Sequence, residues 1–523
     1  MDLGSALSIA SSGLNGIEYQ YSVVAQNVAN SSTTGYASES ASVTSAVAGS
    51  QGTGVRIGRT IVNVSPYLQS SLYTQNAKVS ALNASSNSLA AVASVQGSTS
   101  ANSGATNTLS DELGNVQTAL TSLTSTPLES SAQTAVITAA TSLTDTIHTL
   151  ASTYTAQRQT AEDTIVSTVS TINQNLTQIG QLSKQIMSLK AVGSDTAALE
   201  NSRLEVMSDL SSEVGVKFTE TSKGDMVVTT EDGTKLPTRP DQIGLNDNTQ
   251  TLPSNTWPLS ATNGGTASTT ITDAMYYKAG DPANSPIAGI TVANNTSTTD
   301  ITSRLTSGTL GANITLRDTT YPTMQAQLNA FSATLVNRFT KARVSLFTDG
   351  AGHSTIATTT TDTSLTDNSR LTNLSNTLQV SNSYSKTPSI LTPNGNVDAI
   401  TNVLSTTFGS SSNDINTPLT TSPTTGLGPN GTLSTGYSPA QGLVALATSL
   451  TSDQGATIST ASTNLTYATA VQTTLSAKVT SVSGVNVNTE MSKIVALQNA
   501  YTANAKIISS VQTMFSALLN AIN

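Results

Sequence analysis

The side chains best suited to acid–base or metal chemistry are few and isolated in this sequence of 523 residues. It contains two histidines, His148 and His353, and no cysteine. His148 lies in a helical pattern with no acidic residue four positions later, and His353 follows a glycine-rich turn. A zinc site or a Ser-His-Asp triad needs a histidine accompanied by further ligands or partners. The sequence therefore predicts no catalytic residue and no metal site.

One glycine motif and two pairs of adjacent acids have the residue types of ligand sites. Residues 426–431 spell G-x-G-x-x-G, a string that binds dinucleotides where it joins a strand to a helix. Here it follows a Thr- and Pro-rich stretch, and Pro429 would disturb the helix start that holds a pyrophosphate. The acids at 111–112 and 231–232 lie on expected helix starts or turns, where carboxylates are usually solvated. We interpret the motif as turns and predict no cofactor.

Charge and composition exclude two classes of partner. The net charge is −9, and only 10% of residues are charged, against about 25% in ordinary domains. Nucleic-acid binding needs clustered cations, yet no Lys or Arg occurs between Lys78 and Arg158. No apolar run reaches about 20 residues, so membrane insertion is not expected. Residues 1–4 lack the features of a secretory signal, so we expect any export to use another route.

The clearest secondary-structure patterns of the chain lie at its two ends. Over the first thirty residues, apolar side chains recur at alternating steps of four and three, the spacing of a coiled-coil seam. Gly13 and Gly16 interrupt this stripe, and each costs about 1 kcal/mol relative to Ala in a helix. We therefore expect this helix to need a partner. Its predicted interface residues are Leu3, Leu7, Leu14, Ile17, Tyr21, Val24 and Val28.

The last thirty residues carry a matching stripe, with one series of apolar residues spaced seven apart and a second series between them. Asn504 is the polar exception, and a single polar seam residue often sets the register of a coiled coil. The two stripes either pair with each other or pack separately on a core, and the pattern alone favours neither. The predicted interface residues here are Ile494, Leu497, Tyr501, Ile508, Val511, Phe515, Leu518 and Ile522.

Between the ends, long helical patterns alternate with turn-rich segments. The longest pattern covers about 132–190, and a run of isoleucines spaced seven apart, from Ile165 to Ile186, lies within it. Such stripes are typical of the core face of a helical bundle. Further helices are predicted at 72–95, 109–123, 196–214 and 324–344.

The turn-rich segments predict β structure. Met226–Thr230 reads as a strand that enters a tight turn, and Pro, Gly and Asn punctuate the chain to about residue 304. The fold class is therefore mainly α with β-rich insertions: an elongated helical trunk of paired N- and C-terminal helices, in a coiled coil, plus inserted β domains. We expect the second insertion to lie outside the assembly and to be dispensable for it. The predicted domains are 1–60 with 480–523 (terminal coiled coil), 61–216 with 305–345 and 438–479 (trunk), 217–304 (β-rich insertion) and 346–437 (second turn/β-rich outer insertion).

Several stretches carry a resemblance to known proteins. The stretches are 12–16 (SGLNG), 26–30 (QNVAN), 33–36 (TTGY), 173–186, 196–216 with Arg203, 307–311 (SGTLG), 316–318 (LRD), 481–486 (SVSGVN) and 496–505 (ALQNAYTANA). The N-terminal stretches resemble the signature shared by bacterial flagellar axial proteins of rod, hook and junction. The interior and C-terminal stretches resemble the flagellar hook-associated protein 1 family, the junction proteins between hook and filament. The resemblance covers about two thirds of the chain and departs at 37–39 (ASE), where the family commonly shows a basic residue.

This resemblance implies a non-enzymatic structural protein of the bacterial flagellum, secreted unfolded through the flagellar channel and located outside the cell at the hook–filament junction. It implies that the chain assembles with itself into a ring-like homo-oligomer at the hook tip. The implied partners are the flagellar hook protein, the second hook–filament junction protein, and a cytoplasmic export chaperone that holds the C-terminal helix. No cofactor is implied.

Two alternatives stay open at this point. A flagellar hook or distal-rod protein would have β structure soon after its first helix, whereas the helical pattern here is expected to persist to about residue 214. A β-rich surface adhesin would need a binding site in the insertions. Glycan sites usually expose aromatic side chains, and aromatic residues make up only 4% of this chain.

Overall fold

The computed structural model describes residues 3–33, 35–48, 51–97, 108–246, 250–261, 270–281, 284–356, 369–408, 422–438 and 442–522. The α-helices in these residues are α1 (Leu3–Ala29), α2 (Pro66–Gln96), α3 (Leu109–Ser125), α4 (Ser130–Ala191), α5 (Ala197–Glu213), α6 (Gly308–Thr315), α7 (Tyr321–Lys341), α8 (Ser369–Thr372), α9 (Leu374–Thr377), α10 (Asn382–Lys386), α11 (Asp398–Thr406), α12 (Leu443–Ser483) and α13 (Val487–Ile522). None of the helices in the described residues combines the length and apolar character needed to cross a membrane.

The longest helix, α4, forms the axis of the trunk. It has 62 residues and is therefore about 93 Å long. The isoleucines spaced seven apart in the sequence are fully buried, and Ile165, Ile172 and Ile179 share a core with α5 and the sheets of the first insertion. Toward its N-terminal half, α4 packs against α3 and α7 in a second core. The predicted helical stretches therefore form the bundle that their periodicity indicates.

Two antiparallel helix pairs connect the ends of the chain. Along the trunk, α12 lies on α2, and Gln472 donates a hydrogen bond to Asn76 while Gln96 donates one to Gln454. Beyond the trunk, α13 lies on α1. The fold class is confirmed as mainly α with paired terminal helices and small inserted sheets. Of the two arrangements left open for the terminal stripes, the structure shows the pair.

All the strand pairs are antiparallel and short. The β5–β6–β7 and β10–β9–β8 sheets lie in the first insertion, and the predicted strand at Met226–Thr230 is the centre of the former. The strands are β1 (Glu39–Ser40), β2 (Val43–Ala48), β3 (Gln51–Ile57), β4 (Ile61–Val62), β5 (Val216–Glu220), β6 (Met226–Thr230), β7 (Lys235–Leu236), β8 (Leu259–Ser260), β9 (Thr291–Ala293), β10 (Thr298–Asp300), β11 (Phe347–Thr348) and β12 (Gln379–Val380).

The segment directly after α1 differs from the expectation. Four strands, β1 to β4, lie between α1 and α2, and β2 and β3 form a hairpin. The prediction that helical pattern persists from the N-terminus to about residue 214 is therefore wrong. In β2 only two valines stand out among Ser, Thr and Ala, and such a short, weakly apolar alternation gives little strand signal. Early β structure thus does not separate this chain from hook and rod proteins.

The second turn-rich segment, 346–437, is built into the trunk core. In its described residues it contains the short helices α8 to α11 and two strands of two residues each, so its β content there is small. Leu374, Leu378 and Ile400 are fully buried in the core that α3, α4 and α7 form. His148 on α4 bonds to the carbonyl of Leu378 through Nε2 at 2.7 Å. On this packing we no longer expect the segment to be dispensable; the predicted domain boundaries stay predictions.

Candidate assembly site

The terminal helices α1 and α13 pack antiparallel, and two contacts fix their register. A Cβ atom added at Gly13 would lie 3.3 Å from Asn504 Oδ1, and Asn27 Nδ2 donates a hydrogen bond of 3.2 Å to Glu490 Oε2. The polar seam residue Asn504 therefore lies opposite a residue without a side chain. From the sequence, Gly13 is expected only to weaken the helix. In the structure it makes room for the Asn504 amide.

The predicted interface residues all lie on these two helices, but the chain covers them unevenly. Val24 and Val511 are buried. Tyr21, Tyr501, Phe515 and Leu518 are exposed, Leu518 by 57%. Ile522 is the last residue of α13. The half-buried residues are Leu3, Leu7, Leu14, Ile17, Val28, Ile494, Leu497 and Ile508.

The terminal pair therefore keeps a large apolar surface that its own chain does not cover. The seam prediction missed further exposed apolar residues of α13. All six have a signal in the sequence: Val487 continues the series spaced seven apart, and the other five are large apolar side chains directly beside heptad positions. They are Val487, Met491, Val495, Ile507, Met514 and Leu519, all more than 40% exposed.

The β2–β3 hairpin covers the other side of α1. A Cβ atom added at Gly16 would lie 3.1 Å from Val55 Cγ2, so this glycine allows the hairpin to approach the helix backbone. Ser12 Oγ accepts a hydrogen bond from Val55 N at 3.2 Å and donates one to Ile9 O. Gly54, at φ +131°, faces the Ser12 side chain. Both glycines serve packing between α1 and a hairpin that sequence patterns did not reveal.

A buried polar cluster joins the terminal pair to the trunk. We call its five side chains Asn27, Tyr36, Glu39, Asn201 and Glu490 the hub. Asn27 is fully buried, and its Oδ1 accepts hydrogen bonds from Glu39 N (2.8 Å) and Tyr36 Oη (3.2 Å). Its Nδ2 donates to Glu39 O (2.8 Å) and to Glu490 Oε2. The amide thus uses its full hydrogen-bonding capacity, as a buried polar group requires.

The trunk side of the hub is α5. Asn201 Oδ1 accepts from Ala37 N at 3.0 Å, and Asn201 Nδ2 donates to Ala37 O and to Glu39 Oε1. Burial raises the pKa of Glu39, and the hydrogen bond from Asn201 partly opposes this shift. Ser38 N also donates to Ser483 O at the end of α12. The stretch 37–39, where the sequence departs from the resembled family, therefore bonds α1 to the trunk.

A second polar contact holds the same junction from outside. Thr60 donates hydrogen bonds to Asp195 Oδ2 from both its backbone N and its hydroxyl, and Tyr19 Oη lies 2.8 Å from Thr60 Oγ1. Burial tends to raise the pKa of Asp195, but the hydrogen bonds from Ala197 N and Thr60 outweigh it and lower the pKa. The charged carboxylate of Asp195 therefore connects the start of α5 to α1 and to the residue before β4.

The interior motifs quoted for the resemblance have packing roles. Gly308, in 307–311, has a φ of +76°, and a Cβ atom there would lie 2.5 Å from Glu213 O at the end of α5. Arg317, in 316–318, is fully buried and donates to Glu162 Oε2 at 2.6 Å and to both carboxylate oxygens of Asp318. Arg158 donates in turn to Arg317 O at 2.7 Å. These residues lock α6 and the turn after it onto α4 and α5.

The residues considered for chemistry take structural positions. His353 Nδ1 lies 2.8 Å from Asp349 Oδ2 in a turn, and His148 contacts a backbone carbonyl as described. The glycines at 426, 428 and 431 all have positive φ, and Leu427 and Leu433 pair across a bridge, so the motif forms turns. Within the described residues, no group of three or more His, Cys, Asp or Glu side chains could hold a metal ion.

Comparison with known families defines the class of the chain. The model described as "Flagellar basal body rod FlgEFG protein C-terminal" matches residues 478–521, the end of α12 and nearly all of α13. The C-terminal helix α13 is thus similar to the C-terminal segment of flagellar rod proteins. The model described as "Flagellar hook-associated protein FlgK helical domain" matches residues 96–345, which run from the end of α2 past α7. The two models confirm the resemblance to the flagellar hook-associated protein 1 family over residues 96–345 and 478–521.

Among solved structures, the chain is similar to the flagellar hook junction protein FlgK from Burkholderia pseudomallei. The two are 22% identical, with a TM-score of 0.40, over 54% of this chain and 45% of that chain. The match thus spans less than half the length of that protein. A search of curated protein sequences found no match.

Proposed function

We propose that this chain is a structural component of the bacterial flagellum that forms the junction between hook and filament by self-assembly through its terminal helices. The observation that carries the proposal is the incompletely covered seam of the α1–α13 pair. Tyr501, Phe515 and Leu518 occupy seam positions, yet each is at least 40% exposed in the single chain. The match of residues 96–345 to the FlgK helical domain supports the junction role.

The energetics favour burial of this surface between copies. Fully burying a Leu, Ile, Phe or Met side chain stabilises by about 1.5–3 kcal/mol relative to leaving it in water. Exposed apolar patches of this kind mark interaction sites in soluble proteins. The low charge of the chain adds to this, because few like charges oppose the close approach of many copies.

The remaining partners follow from the family and belong to the same proposal. We propose a ring-like homo-oligomer at the hook tip, outside the cell, with the hook protein below it and the second hook–filament junction protein above it. Before export, a cytoplasmic chaperone would hold α13, whose exposed apolar residues need cover. The predicted interface residues of both stripes would make the contacts between copies. We propose no enzymatic activity and no cofactor.

A hook or distal-rod protein remains the second candidate, because two observations favour it. The C-terminal model that matches α13 is described for a flagellar basal body rod protein, and β1 to β4 follow directly after α1. The match of residues 96–345 to the FlgK helical domain favours the junction over both.

Replacing Ile508 with Asp is expected to abolish incorporation at the hook tip. Ile508 is a half-buried seam residue of α13, and a carboxylate without a partner there would cost several kcal/mol when the seam closes. Incorporation can be measured by immunogold electron microscopy of isolated hooks, together with filament protein shed into the medium. Gln512→Asp, on the exposed face one turn further on, should retain filaments. Equal incorporation of the two variants would contradict assembly through this seam.

A further inference from the structure

The charges of the chain are segregated between its ends and its trunk. We call residues 1–60 and 480–523 the terminal unit; it contains four basic and four acidic residues, so the whole net charge of −9 falls on the rest of the chain. Two of the four acids, Glu39 and Glu490, are buried in the hub. Glu490 is paired with Lys493. Among the described residues, the other exposed charges of the terminal unit are those of Arg56, Arg59, Lys506 and Glu18, and they are mainly positive, whereas the trunk and insertions are acidic.

The positive charge concentrates in the segment 56–61, which we call the basic segment. Arg56 and Arg59 are exposed, and neither guanidinium takes part in an ion pair within the described residues. Ile57 and Ile61, on either side of Arg59, are 42% and 58% exposed. A surface that alternates apolar and cationic side chains without partners is typical of an interface that another molecule completes.

A complementary surface lies on the outer face of α5. Glu205 and Asp209 are exposed and Glu213 is half-buried, at steps of four residues along one side of the helix. Neighbouring acids of the trunk are paired, as Glu162 is with Arg317 and Glu220 with Arg203. Among the described residues, the three acids on α5 make no ion pair.

Like charges four residues apart on a helix repel each other, and the three acids of this face have no cationic partner among the described residues. A hydrogen bond with Thr309 partly stabilises the charged form of Glu213. The pKa of Glu213 is raised by burial, and the charge of Asp209 adds to the rise. A cation placed along this face would relieve the repulsion and gain two or three ion pairs. The charge pattern of α5 is thus matched to the basic segment.

We propose that the basic segment of one copy docks on the outer face of α5 of a second copy. The proposal rests on the assembly proposed above and deepens it, because it names a contact between copies outside the terminal seam. The two surfaces are different parts of one chain, so the contact is heterologous and repeats from copy to copy, as a ring requires. Charge complementarity selects a second copy as the occupant, since the exposed charges of the two units have opposite sign.

A charge-exchange experiment in flagellated cells tests this contact. The double variant Arg56→Glu/Arg59→Glu and the double variant Glu205→Arg/Asp209→Arg are each expected to reduce incorporation at the hook tip by about tenfold or more, because like charges would then face each other. The variant that carries all four changes restores attraction with the signs exchanged, and should recover most of the incorporation. Lys78→Glu, at an exposed lysine on α2, controls for the reversal of a surface charge outside the proposed contact.

Each outcome decides between the proposals. Normal incorporation of either double variant, or failure of the fourfold variant to recover, would overturn docking between copies. The second of these results would instead indicate that each surface meets a different protein. If the unaltered chain itself were absent from the hook tip, the proposed function would fail. Thermal unfolding of each purified variant should match the unaltered chain, because all four residues are exposed in the single copy.

Discussion

Replacing Glu162 with Gln is expected to lower the free energy of unfolding of the trunk by about 3 kcal/mol. Glu162 and Arg317 are both buried, and their side chains meet at 2.6 Å between Oε2 and Nη1. Burial alone would lower the pKa of Arg317, but the charges of Asp318 and Glu162 raise it, so the guanidinium stays charged. Gln leaves this buried charge undercompensated. Because Asp318 still pairs with it, we expect the lower end of the usual cost of about 3–5 kcal/mol.

Urea unfolding followed by far-ultraviolet circular dichroism measures this loss. Asp145→Asn is the matched control: it makes the same kind of change at an exposed position of the same helix, and should stay within about 0.5 kcal/mol of the unaltered chain. An equal and small effect of the two substitutions would show that the Arg317 cluster does not hold α6 and α4 together.

Removing 346–437 and closing the gap with a Gly/Ser linker is expected to unfold the trunk and to prevent incorporation. Five of the side chains that the segment buries in the core are each worth about 1.5–3 kcal/mol, and these five together rival the whole stability of a domain at about 5–15 kcal/mol. These side chains are Leu371, Leu374, Leu378, Ile400 and Val403.

Two point variants test whether the segment 346–437 contributes to the stability of the core. Leu374→Ala should cost about 2–5 kcal/mol, because it opens a cavity in the core, whereas Ile390→Ala at an exposed position should cost little. Differential scanning calorimetry of the purified chains gives both values. A deleted chain that melts at the temperature of the intact one would show that the segment is an independent attachment.

The helical trunk was the part of the fold most readable from sequence. The pattern at 132–190 predicts α4 to within two residues at its start and one at its end, because many turns of periodic burial reinforce each other. The stripes at the two ends likewise indicated helices that need partners. The stripes do not identify the partner of either helix, because a heptad pattern indicates only that one face of the helix is covered.

The hub and the β2–β3 hairpin could not be predicted from local sequence periodicity. Asn27 and Glu490 meet although they lie at opposite ends of the chain, and such long-range polar contacts leave no local periodicity. From the sequence alone, Gly16 is a residue that weakens a helix. Its role is to let Val55 of the hairpin approach, and this contact is with another element. Segment 346–437 resembles a loop by composition, yet its scattered leucines are core. Each of these features depends on tertiary contacts rather than on neighbours in sequence.

A disulfide between residues 13 and 504 tests most directly whether α1 and α13 of one copy form the pair on which assembly depends. A Cβ atom at Gly13 would lie 3.7 Å from Asn504 Cγ, the position that a Cys Sγ would take, so the two sites approach disulfide geometry. The natural chain has no cysteine, so no other thiol competes. The control combines Gly13→Cys with Gln512→Cys, an exposed position of α13.

The measurement is mild oxidation of flagella that carry Gly13→Cys/Asn504→Cys, followed by non-reducing electrophoresis and electron microscopy of the same sample. We expect a disulfide within each chain, little cross-linking in the control, and filaments that stay attached to their hooks. Cross-links that form only between different chains, or filaments that detach once the disulfide within a chain has formed, would contradict it.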